Sequence, residues 1–212
     1  MTADTGGSGD SPRRRDASAT REAILNSAIE AFTRLGYDGA GVREVAGGAG
    51  VTAMLVNRYF GSKEQLFAEA VDRSFAPRTV VSNDPGGLSE QTAARLAART
   101  SPEADDLDPF VLMLRSAANP RAAEIIRAAI EKHVGRHLTD ILPGPDAAPR
   151  AELLLALIAG VWLMRKVIAT PALTGIDEGA LTRQLHELME VLVNAPPATS
   201  GGDATPGAIS PG

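Results

Sequence analysis

In the segment 52–63, side chains suited to reading and gripping nucleic acid recur at helical spacing. The Arg58 guanidinium can bond bidentately to guanine, the Asn57 carboxamide to adenine, and a Met54 or Ala53 side chain suits a thymine methyl. Thr52, Tyr59 and Lys63 carry donors for phosphate oxygens, contacts that fix position on a duplex without reading its sequence. Lys63 also falls in the first turn of a predicted helix, where backbone N–H groups already favour an anion. Arg43 has two uses open to it: a phosphate, or a surface carboxylate near Glu44, a pairing of small value. The chemistry requires Ala53, Met54, Asn57 and Arg58 on one face of one helix, with Leu55, Val56 and Phe60 anchoring the other.

The elements that would achieve this are written in the spacing of 42–60. Two short helices crossing steeply through a tight turn need a small residue at the crossing, a glycine four residues on where φ turns positive, and apolar residues inside. Ala46, Gly50 and the set Val45, Ala49, Val51 and Val56 meet these requirements together. The spacing predicts helices over about 42–49 and 52–59, a helix-turn-helix. A preceding helix starts at Thr20, carries Ile24, Ala28, Phe32 and Leu35 on one stripe, and meets Gly36 as a left-handed stop. A fourth helix opens on Ser62-Lys63-Glu64-Gln65, where Ser62 can accept from the backbone N–H of Gln65, and continues through Leu66, Phe67, Ala70 and Val71.

Prolines and glycines divide the rest. Pro77 and Asn83-Asp84-Pro85-Gly86-Gly87 mark a break, and helices are predicted over about 89–100, 108–118, 120–142, 147–169 and 177–194. No alternating strand pattern and no internal repeat appears. The expected fold is all-α: a disordered basic arm over 1–17, a helix-turn-helix DNA-binding domain over 18–76, a helical effector-binding and dimerisation domain over 77–194, and a disordered tail over 195–212. Arg13-Arg14-Arg15 could enter a minor groove or form part of a solvated tail.

Composition bounds the function classes. With 44% hydrophobic residues among 212, a packed interior is available, and the absence of cysteine excludes disulfides and thiolate zinc sites. The longest apolar run, Leu153 to Met164, is shorter than the roughly 20 residues that span a bilayer, and the N-terminus lacks a signal-peptide core. A cytoplasmic protein without a membrane partner is the expectation. The net charge of −5 argues against nucleic acid until its distribution is seen: 11–65 carries an excess of two positive charges, and the remainder is strongly acidic.

Thr20-Arg21-Glu22-Ala23-Ile24-Leu25, Gly36-Tyr37, Val42-Arg43-Glu44-Val45-Ala46, Gly50-Val51-Thr52 and Asn57-Arg58-Tyr59-Phe60-Gly61-Ser62-Lys63-Glu64 closely resemble the N-terminal domain of TetR-family repressors. The resemblance covers about 18–76; residues 108–194 look like the family's effector domain more loosely, through helix order and length. It implies an all-helical homodimer that binds a palindromic double-stranded DNA operator and releases it when a small molecule enters the C-terminal domain. Three departures stand out: Asn57 where the family usually has a DNA-touching tyrosine, Tyr59 where it usually has histidine, and Gly47-Gly48 where better helix formers occur, at about 1 kcal/mol each.

Beyond that domain, Leu153–Met164 is apolar all round and must be buried all round. With Leu181, Leu185, Leu188 and Leu192 on the last helix, the natural reading is a four-helix dimer interface from 147–169 and 177–194; the alternative is a buried helix in a monomer. Phe110, Met113, Leu114, Ile126, Ile130, Trp162 and Met164 could line an effector cavity or be plain core, and Trp162 with Arg165 could clamp an aromatic or anionic effector. His133 and His137 share a helix face at metal-compatible spacing, but two exposed imidazoles are the commoner outcome, so no metal or cofactor is expected. No histidine stands in a recognisable nucleophile-and-base arrangement, which argues against an enzyme. A helical interaction protein that does not bind DNA stays as a competing class.

Overall fold

The computed structural model describes residues 12–75, 80–104 and 109–194, and among them there is no strand. The expected tail over 195–212 and the segment 76–79 around the expected boundary lie outside the described residues. Helix α1 (Pro12–Gly39) begins eight residues before the Thr20 start read from periodicity. Residues 12–17 are therefore helix and not arm. Once 20–39 is packed, each further residue adds a hydrogen bond to an existing nucleus, so propagation needs no apolar stripe of its own. The side chains of Arg13, Arg14 and Arg15 lie outside the described residues.

Gly36 stops the regular helix at positive φ, as expected: its φ of 69° and ψ of 179° leave the helical region, and a separate short turn follows across this kink to Gly39. A glycine is required there twice over, because φ is positive and because a Cβ would collide with the carbonyl of Arg115. The kink strips carbonyls of their intrahelical donors. Arg115 replaces them, donating from Nη1 to the Thr33 and Arg34 carbonyl oxygens at 3.0 and 2.6 Å.

Helices α2 (Val42–Gly48), α3 (Ala53–Phe60) and α4 (Lys63–Phe75) complete the N-terminal unit, and α5 (Leu88–Arg99), α6 (Pro109–Ser116), α7 (Pro120–Ile130), α8 (Arg136–Ile141), α9 (Ala147–Trp162), α10 (Pro171–Thr174) and α11 (Glu178–Val193) follow. A π turn at Glu131–Gly135 joins α7 to α8, so the expected helix over 120–142 is nearly continuous with a local widening; a second π turn, Leu163–Val167, extends α9.

Two apolar cores form. The first wraps Ile24, Phe32, Val45, Val56, Phe60 and Phe67, and it also takes in Leu112, Ala122 and Ile126 from α6 and α7. Packing thus crosses the sequence break near 77, and α6 and α7 seat the N-terminal unit directly. Phe67 centres this core, edge-on to Phe32 and Tyr37 at 4.9 Å each. The second core joins Leu88, Leu96, Leu154, Leu181, Leu185 and Met189 on α5, α9 and α11.

Two arginines are buried in or beside this second core without a carboxylate. Arg150 donates to the carbonyls of Leu192 and Val193 at 3.0 Å, of Pro145 at 3.2 Å, and of Pro143, tying the end of α11 to the α8–α9 loop. Arg165 donates to Leu173 O at 2.9 Å, Ala97 O at 2.6 Å and Thr100 Oγ1 at 2.9 Å.

The stretch Ala147–Val167 is one helix of 21 residues, long and apolar enough by length and composition to cross a membrane; its most apolar 18 residues have a mean hydropathy of 1.5, and 22% of them are buried. The twelve-residue run seen in sequence is shorter because it stops at Glu152 and Arg165, whereas apolar residues continue on the far side of each. Leu153, Met164, Val167 and Ile168 are exposed on it, as are Leu188 and Val191 on α11. Leu181 and Leu185 are not part of that surface. They are 2% exposed and pack against α5, so of the four leucines expected in a two-fold stripe these two belong to the core, Leu192 is half-buried against it, and Leu188 alone is exposed. Leu181, Leu185, Met189 and Val193 recur every four residues along the contact with α5; Leu188 lies on the border of that row, where the helix period alone would leave it beside Leu181, and Val191 lies beyond it.

Candidate nucleic-acid interface and apolar cavity

Local sequence fixes the α2–α3 corner. Gly50 has φ 66°, and the Gly50 N–H donates to Gly47 O at 3.2 Å while the Val51 N–H donates to Ala46 O at 2.9 Å, the paired bonds of a Schellman stop. Ala46 and Val45 are buried where α2 crosses α1, and Ser27 Oγ on α1 donates to Val45 O at 2.9 Å. Thr52 caps α3 by accepting from the Leu55 N–H at 3.4 Å, which leaves its own O–H proton to donate outward. Gly61, φ 75°, ends α3, and Ser62 accepts from the Gln65 N–H at 3.1 Å to start α4.

The glycine pair of α2 separates into two cases. A Cβ on Gly47 would meet nothing within 4 Å, whereas on Gly48 it would strike the Ser27 hydroxyl held by Val45. Gly47→Ala is expected to raise stability by about 0.5–1 kcal/mol and Gly48→Ala to lower it. Urea titration of the two variants checks this; equal effects would contradict the crossing geometry.

On α3, Val56 and Phe60 are buried, while Met54 (81% exposed), Asn57 and Arg58 stand out at i, i+3 and i+4. Ala53, expected beside them, is half-buried and packs against the first core, and Leu55, expected inside, is only partly covered. Tyr59 is half-buried against the same core. Arg43 is exposed, and its neighbour Glu44 is taken by Arg34. Lys63 is not a loose cation: its ammonium lies 4.8 Å from the Tyr37 ring centroid and donates to Asp38 O at 3.5 Å, leaving two N–H groups for another acceptor. Ion pairs Arg21–Glu69 and Arg73–Glu22 brace α1 on α4, each of small value at this exposure.

α4 reaches from this interface to the second unit. Asn119 Nδ2 donates to Asp38 Oδ1 at 2.8 Å, Arg121 lies 3.4 Å from Glu64, and Asp72 meets Lys132 at 2.6 Å and His133 at 2.7 Å. Lys132, and then His133, hold the Asp72 carboxyl below its ordinary range. His133 also stacks on Phe75, rings 5.4 Å apart, so it does not pair with His137; among the described residues no group of three metal-ligating side chains forms.

Beneath Phe75 lies an apolar cavity of about 140 Å³. It brings together Phe110, Met113, Ile130 and Trp162 of the residues singled out in sequence. It does not include Leu114, which is exposed; Ile126, which belongs to the first core; Met164, which faces out; or Arg165, whose guanidinium is consumed by carbonyls. The Trp162–Arg165 clamp is therefore corrected: the two are three residues apart on one helix, yet Arg165 turns toward α5 and α10. Phe75, Val80, Val134 and Ile158 were missed, since they arrive from separate segments with no shared spacing.

Residues 24–70 match the model for bacterial regulatory proteins of the tetR family, and residues 87–193 match the tetracyclin repressor-like C-terminal domain. The chain is 44% identical over 78 residues to the transcriptional regulatory protein RaaS of Mycobacterium tuberculosis, covering 34% of this chain and 36% of that one. It is 27% identical over 164 residues to the transcriptional regulator BetI of Agrobacterium fabrum, covering 71% and 79%. Among solved structures, the multidrug binding protein EbrR complexed with ethidium superposes with a TM-score of 0.62 at 21% identity, covering 83% of this chain and 99% of that one.

Proposed function

This chain belongs to the TetR family of transcriptional regulators, DNA-binding proteins of the helix-turn-helix type, and from that premise we propose that it is a homodimeric repressor released from its operator by a small molecule. The observation that carries the DNA reading is the ridge Met54, Asn57 and Arg58, solvent-exposed on a helix fixed at both ends by backbone geometry. Arg58 and Asn57 read base edges and Met54 meets an apolar one. Ala53 contributes at most its methyl, being half-buried. Thr52, Tyr59, Lys63 and Arg43 grip phosphate, with Lys63 aimed by the Tyr37 ring.

Dimerisation rests on the exposed apolar stripe of Leu153, Met164, Val167 and Ile168 with Leu188 and Val191. A second copy related by a two-fold axis covers it and spaces two recognition helices by about 34 Å, one turn of DNA. Release rests on the cavity, whose wall includes Ser74 and Phe75 at the end of α4. An occupant touches the helix that carries the DNA-reading unit, and it displaces the operator only to the extent that it binds the DNA-free conformation better.

Retention of genomic fragments on the purified protein gives the operator. On it, Arg58→Ala is expected to lose about 1–3 kcal/mol and blur one base position. Lys63→Ala is expected instead to weaken all sequences alike and reduce the salt slope by about one. Equal losses for Arg58→Ala on operator and random DNA would remove the base-reading role, and no retardation of any fragment at low salt would favour a helical interaction protein.

A further inference from the structure

Resting on the reading of the cavity as the effector site, we infer that its ligand is a neutral, compact monocyclic aromatic, of the size and polarity of toluene, and not a fused-ring cation. Size decides first. The cavity measures about 140 Å³, close to the roughly 150 Å³ apolar cavity that stays dry and takes up benzene. One ring with a small substituent fills it, and three fused rings would extend beyond it.

The lining decides the rest. Phe75, Phe110 and Trp162 offer ring faces and edges, with Phe110 tilted against Trp162 at 5.2 Å, and Ile158 and Val134 add to the apolar wall. Ser74 is the hydroxyl on the wall, and its proton is already given to Ala70 O at 2.7 Å. No acidic side chain lines the cavity among the described residues, and Arg99 is the charged group there. Arg99 is already engaged in an interaction of its own, so among the described residues a cation finds no carboxylate to pair with, and a hydrogen-bonding ligand finds few partners on this wall. A neutral aromatic loses only water contacts on entry and gains offset ring contacts in return.

The test uses the full-length chain with toluene, benzoate and ethidium as probes. The single tryptophan, Trp162, sits on the wall and reports occupancy without a label, and calorimetry follows the probes that absorb at its wavelengths. Toluene is expected to change Trp162 emission saturably and to raise the melting temperature, binding at least about tenfold tighter than benzoate, whose carboxylate must be desolvated beside an Arg99 that is already engaged. Ala159→Leu, which grows a side chain into the cavity from α9, is expected to abolish the toluene response while leaving operator binding intact. The size series on the unmodified chain needs no variant to fold. Ethidium binding without toluene binding, benzoate binding tighter than toluene, or no response to any of the three would each overturn this ligand class. Operator affinity measured with toluene present is a separate axis: toluene bound with operator affinity unchanged keeps the ligand class and removes release from the operator.

Discussion

Leu188→Glu combined with Val191→Glu is expected to give folded monomers whose affinity for a two-half-site operator falls by about 10²–10⁴-fold, the loss of linked binding. Leu188 is 55% and Val191 69% exposed in the protomer, so glutamate at either position meets water in the monomer and disrupts nothing inside it. In the dimer the same carboxylates would be carried, unpaired and alike in charge, into the apolar seam with Leu153 and Met164, where desolvation and repulsion both oppose association. The choice of residues matters. Leu185, 2% exposed and packed on α5, would unfold the protomer if charged and would report nothing about association. Sedimentation equilibrium measures the state of assembly, and titration with duplexes bearing one or two half-sites measures the coupling. The variant should match the parent on one half-site and lose only the two-site advantage. A parent chain that sediments as a monomer at micromolar concentration would end the dimer reading.

Arg165→Met is expected to destabilise the protein by about 3 kcal/mol or more, lowering its melting temperature by roughly 10 °C. Arg165 is 4% exposed, and its Nε and Nη1 donate to Leu173 O, Ala97 O and Thr100 Oγ1, three acceptors from two segments, α10 and the end of α5. Methionine matches much of its volume, so the loss comes from acceptors left without a donor in a place water does not reach. Arg165→Lys should recover little, because a single ammonium cannot copy a planar fork that spans α5 and the α10 region. Chemical denaturation of the three proteins decides it. A change within 1 kcal/mol for the methionine variant would mean that the carbonyls find other donors, and that Arg165 is not a cross-link. It is also why Arg165 is unavailable to an effector: its donors already serve the fold.

The α2–α3 corner was legible because every device there is local. Ala46, Gly50, Thr52 and Ser62 act on backbone groups within five residues of themselves, and their spacing carries the geometry. The exposed face of α3 followed from the same period: once Val56 and Phe60 are inside, Met54, Asn57 and Arg58 have no other direction. Ala53 was misplaced because it sits on the border of the stripe, where small size lets the first turn tuck against the core.

The cavity was only half legible. Phe110, Met113, Ile130 and Trp162 were found as large apolar residues of the second unit, but apolar character is shared by core, cavity and interface alike. Leu114, Ile126 and Met164 satisfied the same criterion and went respectively to the surface, the first core and the exposed side of the helix. Arg165 shows the limit well: a charge in an apolar helix signals a buried partner, yet backbone carbonyls many residues away leave no mark in the pattern.

By itself, the sequence determined the all-helical class, the helix-turn-helix with its glycine turn, and which side chains α3 turns outward, since helix period and backbone capping are short-range effects written in neighbouring residues. Only the tertiary structure decided that α6 and α7 belong to the core of the DNA-reading unit, that Arg115 serves the carbonyls bared by the kink at Gly36, and that Leu185 faces α5 while Leu188 faces out. The cavity's size belongs to the same group. These features depend on which helices meet and at what distance, and that is set by close packing among residues far apart in the chain, where a shift of one methyl group changes what fits.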